Sequence, residues 1–243
     1  MKKYLYLSFV LVFSLFIGNV SVNAQEYYYI NDNGITFTKD QYDFITEMYY
    51  DGYQAYMTME DMNYFNGIKM VPGTVESKEY IETYQDEYQT RGSTHETQSK
   101  RLKISRADNI IAISCSWKKS PSVRSYDLIG SYLNGPYVIG GASAKIVYSG
   151  GTIYPSATKT PGNGYGAVLK LPSGGSGIVA SSTFSISGSG RVYGSYQHAK
   201  SSISLANANS YSIASNGLGQ VFYFSNLNIR AKYDAMSGVF IDV

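Results

Sequence analysis

The feature that most constrains the fold of this chain is a series of short β-prone runs from about Arg101 to the last residue. Each run is rich in hydrophobic, β-branched or aromatic residues, and turn residues separate it from the next. The clearest strand is 109–117, and the clearest turn is Asn134-Gly135-Pro136. Roughly nine such runs predict a mainly β fold, an antiparallel β-sandwich or barrel.

The single cysteine leaves this fold without an internal disulfide, so its core must stabilise it. A chain of this length buries enough apolar surface to do so. Strand alternation places Ile111, Ile113, Cys115 and Trp117 on one face. We therefore expect Cys115 to be a buried, unreactive thiol.

A short helical hairpin is predicted ahead of the β region, in the acidic, tyrosine-rich residues 25–72. Thr38 and Gln41 form a capping-box pattern, and Thr58 begins a second, shorter helix. Tyr42, Ile45 and Tyr49 recur at helical spacing, which indicates the packing face of the hairpin.

The polar residues 73–100 are harder to interpret. Tyr80, Tyr84 and Tyr88 would line one side of a helix, but a tyrosine-rich edge strand or a loose linker fits as well. The sequence thus divides into a leader (1–24), a hairpin (25–72), a linker or edge segment (73–100) and a basic, Gly/Ser-rich β domain (101–243).

The leader has the pattern of a secretory signal peptide. Lys2 and Lys3 precede an apolar stretch over 4–20, and Val22-Asn23-Ala24 supplies small residues for cleavage before Gln25. An uncleaved membrane anchor is the alternative, because the apolar stretch approaches the ~18 residues of a spanning helix. We expect a secreted, extracellular protein, free or associated with the cell surface.

Charge is distributed unevenly along the chain. Residues 25–108 hold eight basic and fifteen acidic side chains (8 − 15 = −7), whereas 109–243 hold ten basic and three acidic ones (10 − 3 = +7). Either the acidic part lies against the basic part, or the basic half meets an anionic cell-wall polymer, a glycan or a membrane surface. No nucleic-acid motif is present, so nucleic acid is not an expected partner.

The residues that could carry chemistry are few. His95 lies in the polar segment, and His198 follows a β-prone run. A Ser–His–Asp site would need a carboxylate behind His198, and Asp127 and Asp234 are the candidates in the β half. Nothing in the sequence brings either of them close. No catalytic residue, metal ligand or cofactor site is therefore predicted, and enzymatic activity is disfavoured.

Binding residues are easier to nominate, because tyrosine offers a flat apolar ring with a polar tip. The candidates are three tyrosines and three nearby polar or basic side chains: Tyr126, Tyr193, Tyr196, Lys118, Arg124 and His198. The competing interpretation is that these tyrosines pack within the sheets and that His198 is a hydrogen-bonded structural residue.

Three stretches together resemble uncharacterised small secreted proteins of Gram-positive bacteria. They are the helical segment 38–65, residues 117–130 (WKKSPSVRSYDLIG), and residues 194–199 (GSYQHA) with 233–239 (YDAMSGV). The resemblance implies secretion and the two-part layout, and it assigns no functional residue.

These observations favour a secreted, non-catalytic binding or adhesion module that acts at the cell envelope or on glycans. The alternative is a membrane-active toxin or bacteriocin-like effector. A hydrolase without a recognisable motif comes third, and the sequence leaves the oligomeric state open.

Overall fold

A computed structural model describes residues 27–85, 96–214, 221–234 and 238–243. The predicted leader and His95 lie outside these residues. Within them the chain is mainly β, with two large antiparallel sheets, which confirms the coarse fold prediction. No helix in the described ranges is long and apolar enough to cross a membrane.

The first large sheet, the six-stranded sheet, is antiparallel throughout. Its strands in spatial order are β3 (Glu76–Gln85), β4 (Glu96–Ala107), β5 (Ile110–Trp117), β11 (Val179–Ser187), β7 (Tyr137–Tyr148) and β8 (Gly151–Ile153). The second, the five-stranded sheet, is also antiparallel. Its order is β15 (Val239–Asp242), β12 (Arg191–Gln197), β6 (Tyr126–Asn134), β10 (Gly164–Lys170) and β9 (Ala157–Lys159).

One hydrophobic core joins the two sheets. Alternate residues of β5 and β11, such as Ile113 and Phe184, share it with Ile129 and Val192 of the other sheet. Cys115 is buried in this core, as predicted. Burial of such side chains is the main stabilising contribution, at about 25 cal/mol per Å² of apolar surface.

The N-terminal segment covers the outer face of the six-stranded sheet. It comprises β1 (Tyr29–Ile30), β2 (Thr36–Phe37), α1 (Lys39–Met48), a 3-10 helix (Tyr53–Tyr56) and α2 (Met59–Asn63). The predicted capping box forms at Thr38, and the second helix begins after Thr58, where a further capping box forms with Asp61. Ile45 and Tyr49 of the predicted stripe are buried, so that stripe is a packing face.

Hydroxyl groups fix this segment to the sheet. The rings of Tyr49 and Tyr53 stack 4.1 Å apart. Their hydroxyls lie 2.8 Å from Thr183 Oγ1 and 2.9 Å from Ser181 Oγ, respectively. The outward-facing side chains of β11 therefore bind the segment through polar as well as apolar contacts.

The ambiguous residues 73–100 contain β-structure. β3 is an edge strand of the six-stranded sheet, which favours that alternative over helix or linker. Arg101, where we predicted the β domain to begin, lies inside β4. In the described part of the chain eleven strands form the two large sheets, compared with roughly nine predicted. Three-residue strands such as β8 and β9 are too short to show periodicity.

The C-terminal segment covers part of the outer face of the five-stranded sheet. It comprises α3 (Leu205–Ala208), β13 (Ser212–Ile213), β14 (Phe222–Tyr223) and α4 (Leu227–Arg230). Tyr211 and Phe222 lie over Gly166, where a Cβ atom would come within 2.7 Å of the Tyr211 hydroxyl. Absent side chains on the sheet thus make room for the aromatic rings of this cover.

Candidate functional site

Two arrangements of side chains could serve a function. The first is a polar network at one end of the shared core, where β5, β6 and β12 end or begin. Asp127 comes from β6, Tyr196 from β12 and Trp117 from the end of β5, while His198 directly follows β12. Strand alternation points Asp127 and Tyr196 to the inner side of the five-stranded sheet.

Asp127 is fully buried, and three donors surround its carboxylate. The Tyr196 hydroxyl donates to Oδ2, the Ala199 amide donates to Oδ1 at 2.9 Å, and His198 Nδ1 lies 3.0 Å from Oδ2. Because a carboxylate only accepts, the proton of a neutral His198 sits on Nδ1 and Nε2 is left as an acceptor. Burial next to Asp127 holds the Tyr196 pKa well above its usual value, so this phenol stays a donor.

Asp234 joins the same network from the C-terminal segment. It accepts a hydrogen bond from the His198 amide at 2.9 Å and forms an ion pair with Lys100 of β4. The Lys100 ammonium lies 5.4 Å from the Trp117 ring centre, and the indole donates to the Tyr196 hydroxyl at 3.1 Å. The network therefore links both sheets to the C-terminal segment.

Both carboxylates that the sequence left unplaced thus approach His198. An imidazole held by a buried carboxylate can act as a general base at Nε2. Among the residues that the structure describes, however, no hydroxyl or thiol hydrogen-bonds to that nitrogen. Nor do the described His, Cys, Asp and Glu side chains cluster in a way that could hold a metal ion. The contacts that exist are those of a structural network.

The second arrangement is a row of three aromatic side chains on the outer face of the five-stranded sheet, here called the aromatic ladder. Tyr132 of β6, Tyr193 of β12 and Phe240 of β15 are direct cross-strand partners. The ring centres of Tyr132 and Tyr193 are 6.2 Å apart, and those of Tyr193 and Phe240 are 6.0 Å apart. Phe240 is 44% exposed, and the two tyrosines are half-buried.

The ladder begins where the C-terminal cover ends. Gly130 lies two positions before Tyr132 on the same face of β6. A Cβ atom at Gly130 would lie 3.1 Å from the ring of Phe222, which belongs to the cover. On the other side Arg191 stacks over Phe240 at 4.2 Å and pairs with Asp242 at 2.7 Å. The row of rings is thus bordered by a ridge on one side and by a charged pair on the other.

The remaining predicted binding residues are dispersed. The Arg124 guanidinium donates to the carbonyls of Pro172 at 2.6 Å and Gly174 at 3.1 Å, which fastens the loop after β10. Tyr126 is half-buried with the Lys170 ammonium 4.6 Å from its ring, and Lys118 is exposed beyond β5. Tyr196 is buried, so its ring offers no face to a ligand.

Sequence reasoning found Tyr193 of the ladder but missed Tyr132 and Phe240. Tyr132 and Tyr193 are 61 positions apart in the sequence, and Tyr193 and Phe240 are 47 positions apart. Only the strand register brings these rings together. The sequence does contain a weak signal for this surface. Arg191 and Tyr193 are two positions apart, as are Phe240 and Asp242, so each strand places one ring and one charge on the same face.

Much of the positive charge of the β half is engaged inside the molecule. Lys145 of β7 pairs with Asp61 of α2, which joins the basic half to the acidic one. Lys159 donates to the carbonyls of Asn209 and Tyr211. The Lys145–Asp61 pair supports the alternative in which the acidic part lies against the basic part.

Comparison of the chain with protein-family models, with curated proteins and with solved structures gives no match in any of the three.

Proposed function

We propose that this protein is a secreted, non-catalytic binding module that attaches to glycans at the cell envelope through its aromatic ladder. In this proposal the two sheets form a β-sandwich, with an N-terminal helical hairpin as a structural layer. The observation that supports it is the in-register row Tyr132, Tyr193 and Phe240, which lies partly exposed at the border of the C-terminal cover.

Aromatic rings suit this task because a sugar ring presents an apolar C–H face that packs on a flat π surface. Three adjoining rings supply a surface longer than one side chain. The Arg191–Asp242 pair beside them offers charged donors and acceptors for sugar hydroxyls. Rigid strands hold the rings, so binding would cost little ordering entropy.

Neutral glycan fits the ladder better than a polyanion. The cation that stacks on the ladder, Arg191, is already paired with Asp242, and that pairing lowers the pKa of the Asp242 carboxyl. Lys145 and Lys159 are engaged inside the protein, away from the ladder, and add no free positive charge to it. Attachment should therefore depend only weakly on salt.

A pelleting assay tests this proposal. Residues 25–243 would be mixed with insoluble polysaccharides, with peptidoglycan stripped of anionic polymers, and with neutral and anionic liposomes. We expect the wild-type chain to pellet with at least one neutral glycan. The double variant Tyr193→Ala/Phe240→Ala should lose about tenfold or more in affinity, since each buried ring contributes on the order of 1 kcal/mol.

The matched control is Tyr137→Ala/Tyr223→Ala, which removes two exposed tyrosines away from the ladder. Equal pelleting of both double variants would refute the ladder as the binding surface. Retention only on walls that keep their anionic polymers, or leakage of liposome contents, would instead favour the cationic or membrane-active alternatives.

A further inference from the structure

A small cavity lies at the corner where α2 meets β7, β9 and β10, away from the aromatic ladder. Its volume is about 210 Å³. β10 belongs to the five-stranded sheet and β7 to the six-stranded one, so both sheets contribute to its wall. At roughly 30 Å³ per water molecule this space equals about seven waters. It is smaller than the 300–1,000 Å³ or so of sites for drug-sized ligands.

A buried ion pair forms part of the wall. Lys145 and Asp61 are in contact, and both are nearly inaccessible to solvent. The Lys145 ammonium also donates to the Tyr56 carbonyl at 3.2 Å and lies 5.0 Å from the ring of Tyr53. Its charge is therefore compensated inside the protein. Glu60, which also lines the cavity, adds a negative charge, so the lining carries +1 − 2 = −1 and disfavours anions.

Tyr165 is the second independent feature. This side chain of β10 is 2% exposed, its ring contacts Phe184, and it lines the cavity. Its hydroxyl accepts or donates no side-chain hydrogen bond within the part of the chain that the structure describes. Burial raises the pKa of this phenol, so it remains a neutral donor. The hydroxyl is not among the buried polar atoms that lack a partner, so it keeps contact with solvent, and a ligand in the cavity can replace water as its hydrogen-bond partner.

We propose that this cavity binds a single neutral sugar ring. The lining combines hydroxyl groups of Tyr165, Ser143 and Thr158 with small apolar surface from Ala142 and Ala144. Tyr154, 61% exposed, also lines the cavity and supplies a ring on which a pyranose can stack. Hydroxyls around an aromatic face are the surroundings that an uncharged polyol requires.

The cavity proposal depends on the proposed function in one respect only, the choice of a sugar as the class of ligand. The cavity adjoins β9, at one edge of the five-stranded sheet, whereas the ladder lies on β6, β12 and the opposite edge strand β15. A glycan chain on the ladder and a sugar ring in the cavity would therefore occupy separate surfaces of the protein. Each can be removed without the other.

The test is a titration of residues 25–243 with glucose, galactose and N-acetylglucosamine, followed by amide NMR shifts. Glucuronate and inorganic phosphate serve as anionic probes. We expect saturable shifts with at least one neutral sugar, and weaker or no binding of both anions. Tyr165→Phe removes one hydroxyl and keeps the ring, and should weaken that binding about five- to tenfold. Tyr137→Phe, at an exposed tyrosine elsewhere, should leave it unchanged.

Three outcomes would overturn the assignment. They are the absence of saturable shifts with all three neutral sugars, tighter binding of either anion, and wild-type affinity in Tyr165→Phe. Urea unfolding of Tyr165→Phe checks that the variant folds. The ladder variant Tyr193→Ala/Phe240→Ala should still bind the monosaccharide. The failure of the ladder and the failure of the cavity are thereby measured separately, by pelleting and by titration.

Discussion

At the scale of single residues, Lys103 illustrates how burial changes an ionisable group. Its ammonium donates to the carbonyls of Thr46 at 3.2 Å and Glu47 at 2.7 Å, at the end of α1, and lies 4.7 Å from the ring of Tyr50. Burial lowers the Lys103 pKa to about 8, despite the opposing attraction of Glu79 and Glu47.

This shift predicts that stability rises with pH in the alkaline range. Between the folded pKa of about 8 and the unfolded value near 10.5, the unfolded chain binds more protons. The free energy of unfolding should therefore increase by about 2 kcal/mol from roughly pH 7.5 to roughly pH 9.5. Urea unfolding at intermediate pH values measures it. Above about pH 10 the buried tyrosines, whose pKa values are raised, reverse the trend.

The control for this prediction is a pair of Lys→Met variants. Lys103→Met should flatten the rise between these pH values, whereas Lys119→Met, at an exposed lysine, should retain it. A slope that survives in Lys103→Met would assign the effect to other groups.

The network around Asp127 shows what residue-level sequence reasoning can and cannot reach. The burial of Cys115 follows from the strand pattern, whereas Tyr196, which we nominated for ligand binding, is buried because its face of β12 meets the core. The approach of Asp127 to His198 does not, because it depends on the β6–β12 register and on the chain path after β12. The register is a long-range property that a pattern within one strand does not encode.

At the scale of elements, the C-terminal segment acts as a cover whose fit depends on missing side chains. Gly166 lies beneath Tyr211 and Phe222, with no room for a larger residue. Where the structure describes it, the segment consists of short helices and two-residue strands, so its stability comes from this packing more than from its own hydrogen bonds.

We expect Gly166→Val to destabilise the protein by about 2 kcal/mol or more, since overpacking displaces the rings of the cover. Gly141→Val on β7 is the matched control, because a Cβ atom there has nothing within 4 Å. Urea unfolding compares the two variants, and limited proteolysis reports release of the cover. Equal stability of both would show that the cover tolerates the added volume.

Local signals predicted the elements unequally. The capping box at Thr38 and the helix start at Thr58 were readable because a cap depends on residues three positions apart. β3 was not, because its charged residues, such as Glu76, Lys78 and Glu79, suit an exposed edge and resemble a linker. Only pairing with β4 makes this segment a strand.

At the scale of the whole molecule, three hydrophobic clusters share two sheets. The central core lies between the sheets, one outer cluster lies under the N-terminal segment, and the other lies under the C-terminal segment. β5 contributes Ile111 and Ile113 to the first and Ile110 and Ala112 to the second. Loss of either layer would expose a face of the strands that build the common core.

This arrangement predicts a single cooperative unfolding transition. The one tryptophan, Trp117, lies at the end of the shared core and reports on tertiary structure there. Its fluorescence, far-UV circular dichroism and the near-UV signal of the tyrosines should give the same midpoint in urea. Separate midpoints would mean that one covering layer unfolds independently.

The edge strands have a consequence for behaviour at high concentration. A long, flat, apolar edge invites strands of other copies to add to it, and proteins avoid this with charge or brevity. β3 carries exposed Glu76, Lys78 and Glu79, while β8, β9 and β15 have three, three and four residues. Crowded copies of this protein should therefore resist aggregation through their edges, and a dense layer of them could stay folded side by side.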